Sequence, residues 1–277
     1  MLRHRIRSFL NHESEHFEHK GWHVHLFSAD IDSGNKLKGS LEEMWQHMNN
    51  PAKIFKSDHC SFVAAFEYEN EMYVIKKFTL QSTWFWFRWT STVFASLGEV
   101  TCSNSLLMKK DGLLIPEPIM LWQRVRNLMV IESWMVYKYL EGEILNSSNV
   151  NYIVAFVKSM HSRGWIHRDP HPANFIKTVE GVATLDALRI VKSNSIYLKA
   201  CDVLHMTRDM PEAARIYGTD ELGFWLTTAR HAHNFIRVYR FVKHQIQALI
   251  GYNPQKAVLV SVSNNNSLKR ESMKKND

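Results

Sequence analysis

The chain changes character once, near residue 140, and that change restricts the fold more than any other feature of the sequence. Before it, short runs of β-branched and aromatic residues recur at 22–27, 62–66, 72–78, 119–125 and 128–139. Such runs suit the half-buried surface of a sheet. One helical pattern interrupts them, beginning near Thr83 or Val93 and stopping after Lys110 at Asp111–Gly112. Beyond the connector Glu141–Gly142–Glu143 the period lengthens. Val150, Ile153, Val154, Val157 and Met160 fall on one helical face behind a candidate cap, Asn149, and Gly164 ends the helix. Residues 199–217 and 219–250 read as further helices. Strands first and helices after predict an α+β fold with two lobes.

The expected organisation is an N-terminal extension over 1–50, a small β-rich lobe with one main helix over 51–140, and a helical lobe over 141–262. A disordered tail is expected over 263–277, where the polar and charged composition cannot bury a core. Glu69–Asn70–Glu71 supplies the turn of a hairpin, and a second turn falls near Arg126–Asn127. Ser40 and Glu43 form a capping box for a helix over 40–48. In residues 1–20, Leu2, Ile6, Phe9, Leu10 and Phe17 recur at roughly helical spacing opposite Arg3, Arg5 and Arg7. That face either packs on its own domain or lies on an anionic membrane. The cluster Trp84, Phe85, Trp86, Phe87 and Trp89 beside Arg88 has the same two readings: core packing, or an interfacial patch.

At 277 residues and 45% hydrophobic the chain can bury a sizeable core, and 22% charged residues exclude a disordered or fibrous protein. A net charge of +7 suits an anionic partner. No stacking or base-reading motif accompanies that charge, so nucleic acid is not expected. Cys60, Cys102 and Cys201 lie far apart in no ligand spacing, which points to a reducing compartment without disulfides or zinc. Neither a secretory leader nor a membrane-spanning run is read, so a cytoplasmic protein, at most peripheral on a membrane, is expected.

The chemistry concentrates in Gly164–Ile176, which reads Gly-Trp-Ile-His-Arg-Asp-Pro-His-Pro-Ala-Asn-Phe-Ile. Its prolines and its place after a helix end make it a loop. Four residues separate Asp169 from Asn174, and Asp186 follows downstream in Thr-Leu-Asp-Ala-Leu. Phosphoryl transfer from ATP needs an oriented acceptor hydroxyl and metal to neutralise phosphate charge. Asp169 can take the hydroxyl proton, and Asn174 and Asp186 offer hard oxygen ligands suited to Mg2+. The pattern His167, Arg168, Asp169, four residues, Asn174 has the spacing of the kinase catalytic loop.

The Asp-Pro-His-Pro-Ala-Asn-Phe string resembles the catalytic loop of the lipopolysaccharide core kinase family, the heptose and Kdo kinases, over about residues 50–210. That family is similar in fold to protein kinases. Atypical kinases of ubiquinone biosynthesis share the Asp-Pro-His-Pro string. The resemblance implies a two-lobed kinase-like fold, ATP and Mg2+ as cofactors, and a lipopolysaccharide core glycolipid as acceptor, met at the inner face of a bacterial inner membrane. It further implies Asp169 as the catalytic group and Asn174 and Asp186 as metal ligands. Lys76 or its neighbour Lys77 becomes the phosphate anchor, with Lys76 the better match, and Glu99 is expected to pair with it. Residues 56–62 stand in the phosphate-covering position but hold no glycine, so Ser57 and Ser61 are the candidate hydroxyl donors there. The lobe connector is expected at 136–139, with the backbone near Tyr137 and Tyr139 facing adenine. Asp-Ala-Leu replaces Asp-Phe-Gly and no Ala-Pro-Glu follows, which argues against a protein substrate. Another small-molecule kinase, or a pseudokinase that only binds nucleotide, remains the alternative. Arg168 can meet a substrate phosphate or pair locally, and Asp202 is either a structural acid near the loop or a helix N-terminal carboxylate.

Overall fold

The computed structural model describes residues 2–27, 45–47, 50–80, 84–218, 222–232 and 234. Met1–Gly223 form one compact unit and Phe224–Asp277 a second. In the second, residues 224–232 are helical. The expected helix at 40–48 lies outside the described residues except for 45–47, which are helical, and so does the tail at 263–277.

The first unit opens with helix α1 (Leu2–Glu13) and strands β1 (Glu15–His19) and β2 (Trp22–Leu26). It continues through β3 (Lys53–Ser57), β4 (Phe62–Tyr68), β5 (Glu71–Lys77), the short helix α2 (Phe85–Thr90), the main helix α3 (Leu97–Lys110), β6 (Pro118–Arg126) and β7 (Met129–Lys138). Among the described residues these strands build a seven-stranded sheet in the order β1-β2-β6-β7-β5-β4-β3, antiparallel throughout. The expected N-terminal extension is thus built into the sheet, because β2 pairs with β6 from Leu26↔Met120 to His23↔Gln123. Three hairpin turns place two successive residues at positive φ: Lys20–Gly21, Glu69–Asn70 and Asn127–Leu128. Paired left-handed residues give a twist that matches the flanking strands.

Both faces of the sheet are covered. Period-two alternation sends Tyr73 and Ile75 to one side, with Trp22, Phe66, Met120 and Trp122. It sends Val74 to the other, with Leu121, Met135, Leu10 of α1, and Cys102 and Leu106 of α3. Ile6 and Phe9 of α1 pack against this second cluster. Ile6, Phe9 and Leu10 of α1 are therefore used inside the fold, which, of the two readings of that helix, favours packing. The helix ends at Glu13, and Phe17 belongs to β1. Of the two starts the sequence allowed for the helix before Lys110, the later is nearer: α3 begins at Leu97 behind the cap Ser96, and α2 is a separate short helix. Gly98 lets α3 lie close on the sheet, since a Cβ there would come within 2.1 Å of Ser133 Oγ.

The second half of this unit is mainly helical, as expected. It holds α4 (Val150–Ser162), α5 (Ile196–Asp209) and α6 (Ala213–Tyr217). A small sheet joins β8 (Glu143–Ile144), β10 (Phe175–Thr178) and β11 (Gly181–Thr184), and β9 (Trp165–Ile166) pairs with β12 (Val191–Lys192). The cap of α4 differs from expectation. Asn146 caps the preceding turn by accepting from the Ser148 amide, and Asn149 accepts from the Asn146 amide in return. Residues 136–138 are not connector but strand, paired with β5, so the link between the halves is 139–142. Gly142 sits where it must, because a Cβ there would fall 2.3 Å from the Lys177 carbonyl oxygen. No helix among the described residues is long and apolar enough to cross a membrane.

Candidate active site

The loop between β9 and β10 carries His167, Arg168, Asp169 and Asn174, and a buried carboxylate holds its shape. Asp202 on α5 is fully buried. Its Oδ2 accepts the His167 amide at 2.7 Å and meets His161 Nε2 at 3.0 Å, while its Oδ1 accepts the Arg168 amide at 2.7 Å. The second clamped amide belongs to a residue at φ 65°, a left-handed conformation unusual for arginine. A strained residue persists where its surroundings over-determine it, and two charge-assisted hydrogen bonds do so here. Of the two readings of Asp202, the structural acid beneath the loop is the correct one.

His167 is the second tether. Its ring is buried against Phe175. The Asp169 amide donates to its Nδ1 at 3.3 Å, which leaves the proton on Nε2, 2.9 Å from Thr184 Oγ1. The Thr184 hydroxyl donates in turn to the Asn174 carbonyl. Burial pushes the imidazole below its ordinary value of 6.5, against the opposing charges of Asp202, Asp186 and Asp169, so the ring is neutral.

The sequence-predicted groups meet above this bracket. Asn174 Nδ2 donates to the Asp169 carbonyl at 2.8 Å, which turns its Oδ1 away from that bond. The hairpin β10–β11 sets Leu185 beside Asn174, its amide 2.8 Å from the Asn174 carbonyl, and so brings Asp186 to the same place. Lys76 of β5 reaches across and donates to Asp186 Oδ1 at 2.8 Å. Strand alternation decides between the two lysines. Lys76 lies on the α3 side, in the cleft, whereas Lys77 pairs with Glu132 at 2.5 Å and rests over Trp134. Burial raises the Asp186 carboxyl, but the Lys76 ammonium outweighs it through charge and hydrogen bond and holds it below 3.8. Asp169 is half-exposed, with Arg189 Nη1 3.5 Å from its Oδ2.

Metal fits this donor set. Asp186 Oδ1 is taken by Lys76 and the Leu188 amide, leaving Oδ2 as a carboxylate ligand beside the carboxamide oxygen of Asn174. Mg2+ is ordinarily held by one or two protein oxygens with phosphates and water completing the octahedron, which is the number available here.

One expectation, the pairing of Glu99, is corrected. Glu99 does not pair with Lys76. It occupies the third position of α3, where its Oε2 accepts the Ser96 amide at 2.6 Å and its Oε1 accepts Arg7 Nε at 2.6 Å. A carboxylate spent on the helix cap and on α1 cannot also reach the cleft. The loop expected to cradle phosphate is closed on itself, for Asp58 Oδ1 accepts both the Cys60 and the Ser61 amides at 2.8 Å. Ser61 is buried and Ser57 exposed at the end of β3. Tyr137 is buried in β7, where burial and then the Asp186 charge push its phenol up, and the Tyr139 amide donates to the Met72 carbonyl.

Two residues escaped the sequence reading. Asn104 of α3 donates from Nδ2 to the carbonyls of Ala187 and Ile190, both at 2.8 Å, and so ties the helix to the segment after Asp186. Arg189 stands against Asp169. Asn104 interrupts a helix face that is otherwise small or apolar, but nothing in the pattern says what it holds.

A family model described as lipopolysaccharide core biosynthesis protein (WaaY) matches residues 18–244. Among solved structures, the chain is similar to WaaP in complex with acyl carrier protein, at 13% identity and TM-score 0.41, covering 78% of this chain and 95% of that one. It is also similar to the PknI kinase domain of Mycobacterium tuberculosis, at 14% identity and TM-score 0.38, covering 61% and 76%. No curated protein matches the chain.

Proposed function

The chain belongs to the lipopolysaccharide core biosynthesis protein (WaaY) family, and from that premise we propose that it is a kinase transferring the γ-phosphoryl group of ATP to a sugar hydroxyl, heptose by preference, of the lipopolysaccharide inner core. The observation that carries this reading is the convergence of Lys76, Asp186 and Asn174 beside Asp169 on a loop clamped from below by Asp202.

In this reading Asp169 accepts a hydrogen bond from the acceptor hydroxyl and takes its proton as the new O–P bond forms and the bond to the β-phosphate oxygen breaks. Lys76 leaves Asp186 for the phosphates, and its burial makes that charge count for more than it would in water. Asn174 and Asp186 would hold Mg2+, which supplies charge neutralisation at the phosphates. Arg168 and Arg189, both exposed on the rim, add positive charge for an acceptor that is itself anionic.

The test is transfer of label from γ-labelled ATP with Mg2+ to core lipopolysaccharide lacking phosphate. Label in the glycolipid with the native chain, and none with Asp169→Ala, is expected. Equal labelling by the two would overturn the role of Asp169. Nucleotide binding without transfer to any sugar acceptor would leave the chain a nucleotide-binding module.

A further inference from the structure

One margin of the first unit presents apolar side chains that the fold does not use. Trp86 of α2 is 63% exposed, with Trp84, Trp89, Val93 and Phe94 each about half exposed beside it in sequence. The rings of Trp86 and Trp89 lie together, 5.3 Å between centroids. Trp84, Trp86 and Trp89 of the aromatic cluster are therefore not core.

A second apolar group joins this margin from another element. Ser91, just after α2, accepts the Val130 amide at 2.9 Å on its hydroxyl, so the end of α2 abuts the start of β7. The β6–β7 turn is adjacent, and at its tip Leu128 is 76% exposed at φ 63°. Leucine gains nothing within the chain from that position, where glycine or asparagine would sit without strain. The charge around the patch has one sign. No acidic residue occurs from 79 to 98, Arg88 lies on α2, and Arg126 is exposed at the turn.

We infer that this face docks on a bilayer bearing anionic headgroups. Tryptophan settles at the depth of headgroups, where one end of the ring meets hydrocarbon and the other water. Arginines flanking an apolar face add attraction to anionic lipid. An apolar patch that carries Arg88 and Arg126, on segments without a carboxylate, suits a surface that is anionic everywhere. The inference stands apart from the phosphoryl-transfer reading, because docking needs neither nucleotide nor Asp169.

The test is sedimentation of the full chain with phosphatidylcholine vesicles and with vesicles containing phosphatidylglycerol, with no nucleotide present. Binding to the anionic vesicles is expected, weakening as salt rises. The Trp86→Ser/Trp89→Ser chain should lose about tenfold or more in vesicle affinity, from the apolar area no longer buried. Leu128→Gly, which relieves the turn and so protects the fold, should also weaken binding. Label transfer to a delipidated core oligosaccharide should be unchanged in both. Absence of binding to anionic vesicles, or binding unchanged in both variants, would overturn the inference. So would a native dimer that the tryptophan substitutions disperse, which would assign the face to a second copy of the chain.

Discussion

Asp169 and Asp202 act on the same loop from opposite sides, and their surroundings are opposite too. Asp202 is fully buried and receives two backbone amides and a histidine. Asp169 is half-exposed and faces one arginine at 3.5 Å. The same division runs through their neighbours. His167, Thr184 and His161 are saturated with hydrogen bonds below the loop, whereas the bonds of Asp186 and Asn174 run through Oδ1 and Nδ2 and leave one oxygen of each side chain for a ligand. Groups that must change partners during a reaction are left lightly bonded, and rigidity is supplied one layer away.

The largest expected effect separates the two layers. Asp202→Ala removes the partner of the His167 and Arg168 amides and of His161 Nε2, and should cost about 3–5 kcal/mol in urea unfolding, with activity lost alongside. Asp169→Ala should leave the unfolding midpoint within about a degree of native while turnover falls by about 10³-fold. Equal destabilisation by both substitutions would abolish the distinction.

Acid sharpens the same contrast at intermediate size. His167 and His25 are held below 6.5 by burial, His25 at about 4. For a base depressed in the folded state, the stabilisation is complete above the unfolded value of 6.5 and is lost as pH falls towards the folded value. For His25 alone the loss amounts to about 2 kcal/mol near pH 5. Unfolding measured from about pH 7 to 4 should show a steady decline, made shallower in His25→Gln. A flat profile would mean that both rings accept protons without leaving their places.

The smallest effect concerns Asp58, whose carboxylate holds two amides of the turn expected to cover phosphate. Asp58→Ser should tighten ATP binding by roughly two- to fivefold, the scale of one exposed charge interaction, in a calorimetric titration. Unchanged affinity would place the phosphates away from that turn.

The sequence showed the α+β division, the β4–β5 hairpin and the loop that brings Asp169 and Asn174 together, because each rests on local spacing or on turn chemistry. Lys76 was legible for the same reason: alternation along β5 chooses between two adjacent lysines. The role of Glu99 is hidden from the sequence because it depends on Arg7, 92 positions away, and on its reciprocal cap with Ser96. The connector was placed early because residues 136–138 are apolar enough for either state and only pairing with β5 decides it. Asn104 and Arg189 were invisible, since their partners are a backbone carbonyl pair and a loop carboxylate that only the folded chain brings near.

The ion pair between Arg7 and Glu99 also carries a cost in time. The first helix leaves the ribosome long before the helix it packs on. At about 5–20 residues per second, its apolar face waits roughly 5–20 s for residue 99 to emerge. During that interval Leu10 and its neighbours have only part of their native cluster, Phe27 and then Val74 and Phe78. The part of that face that meets Cys102 and Leu106 stays open until α3 has been made, so closure of the lobe waits on translation of that helix.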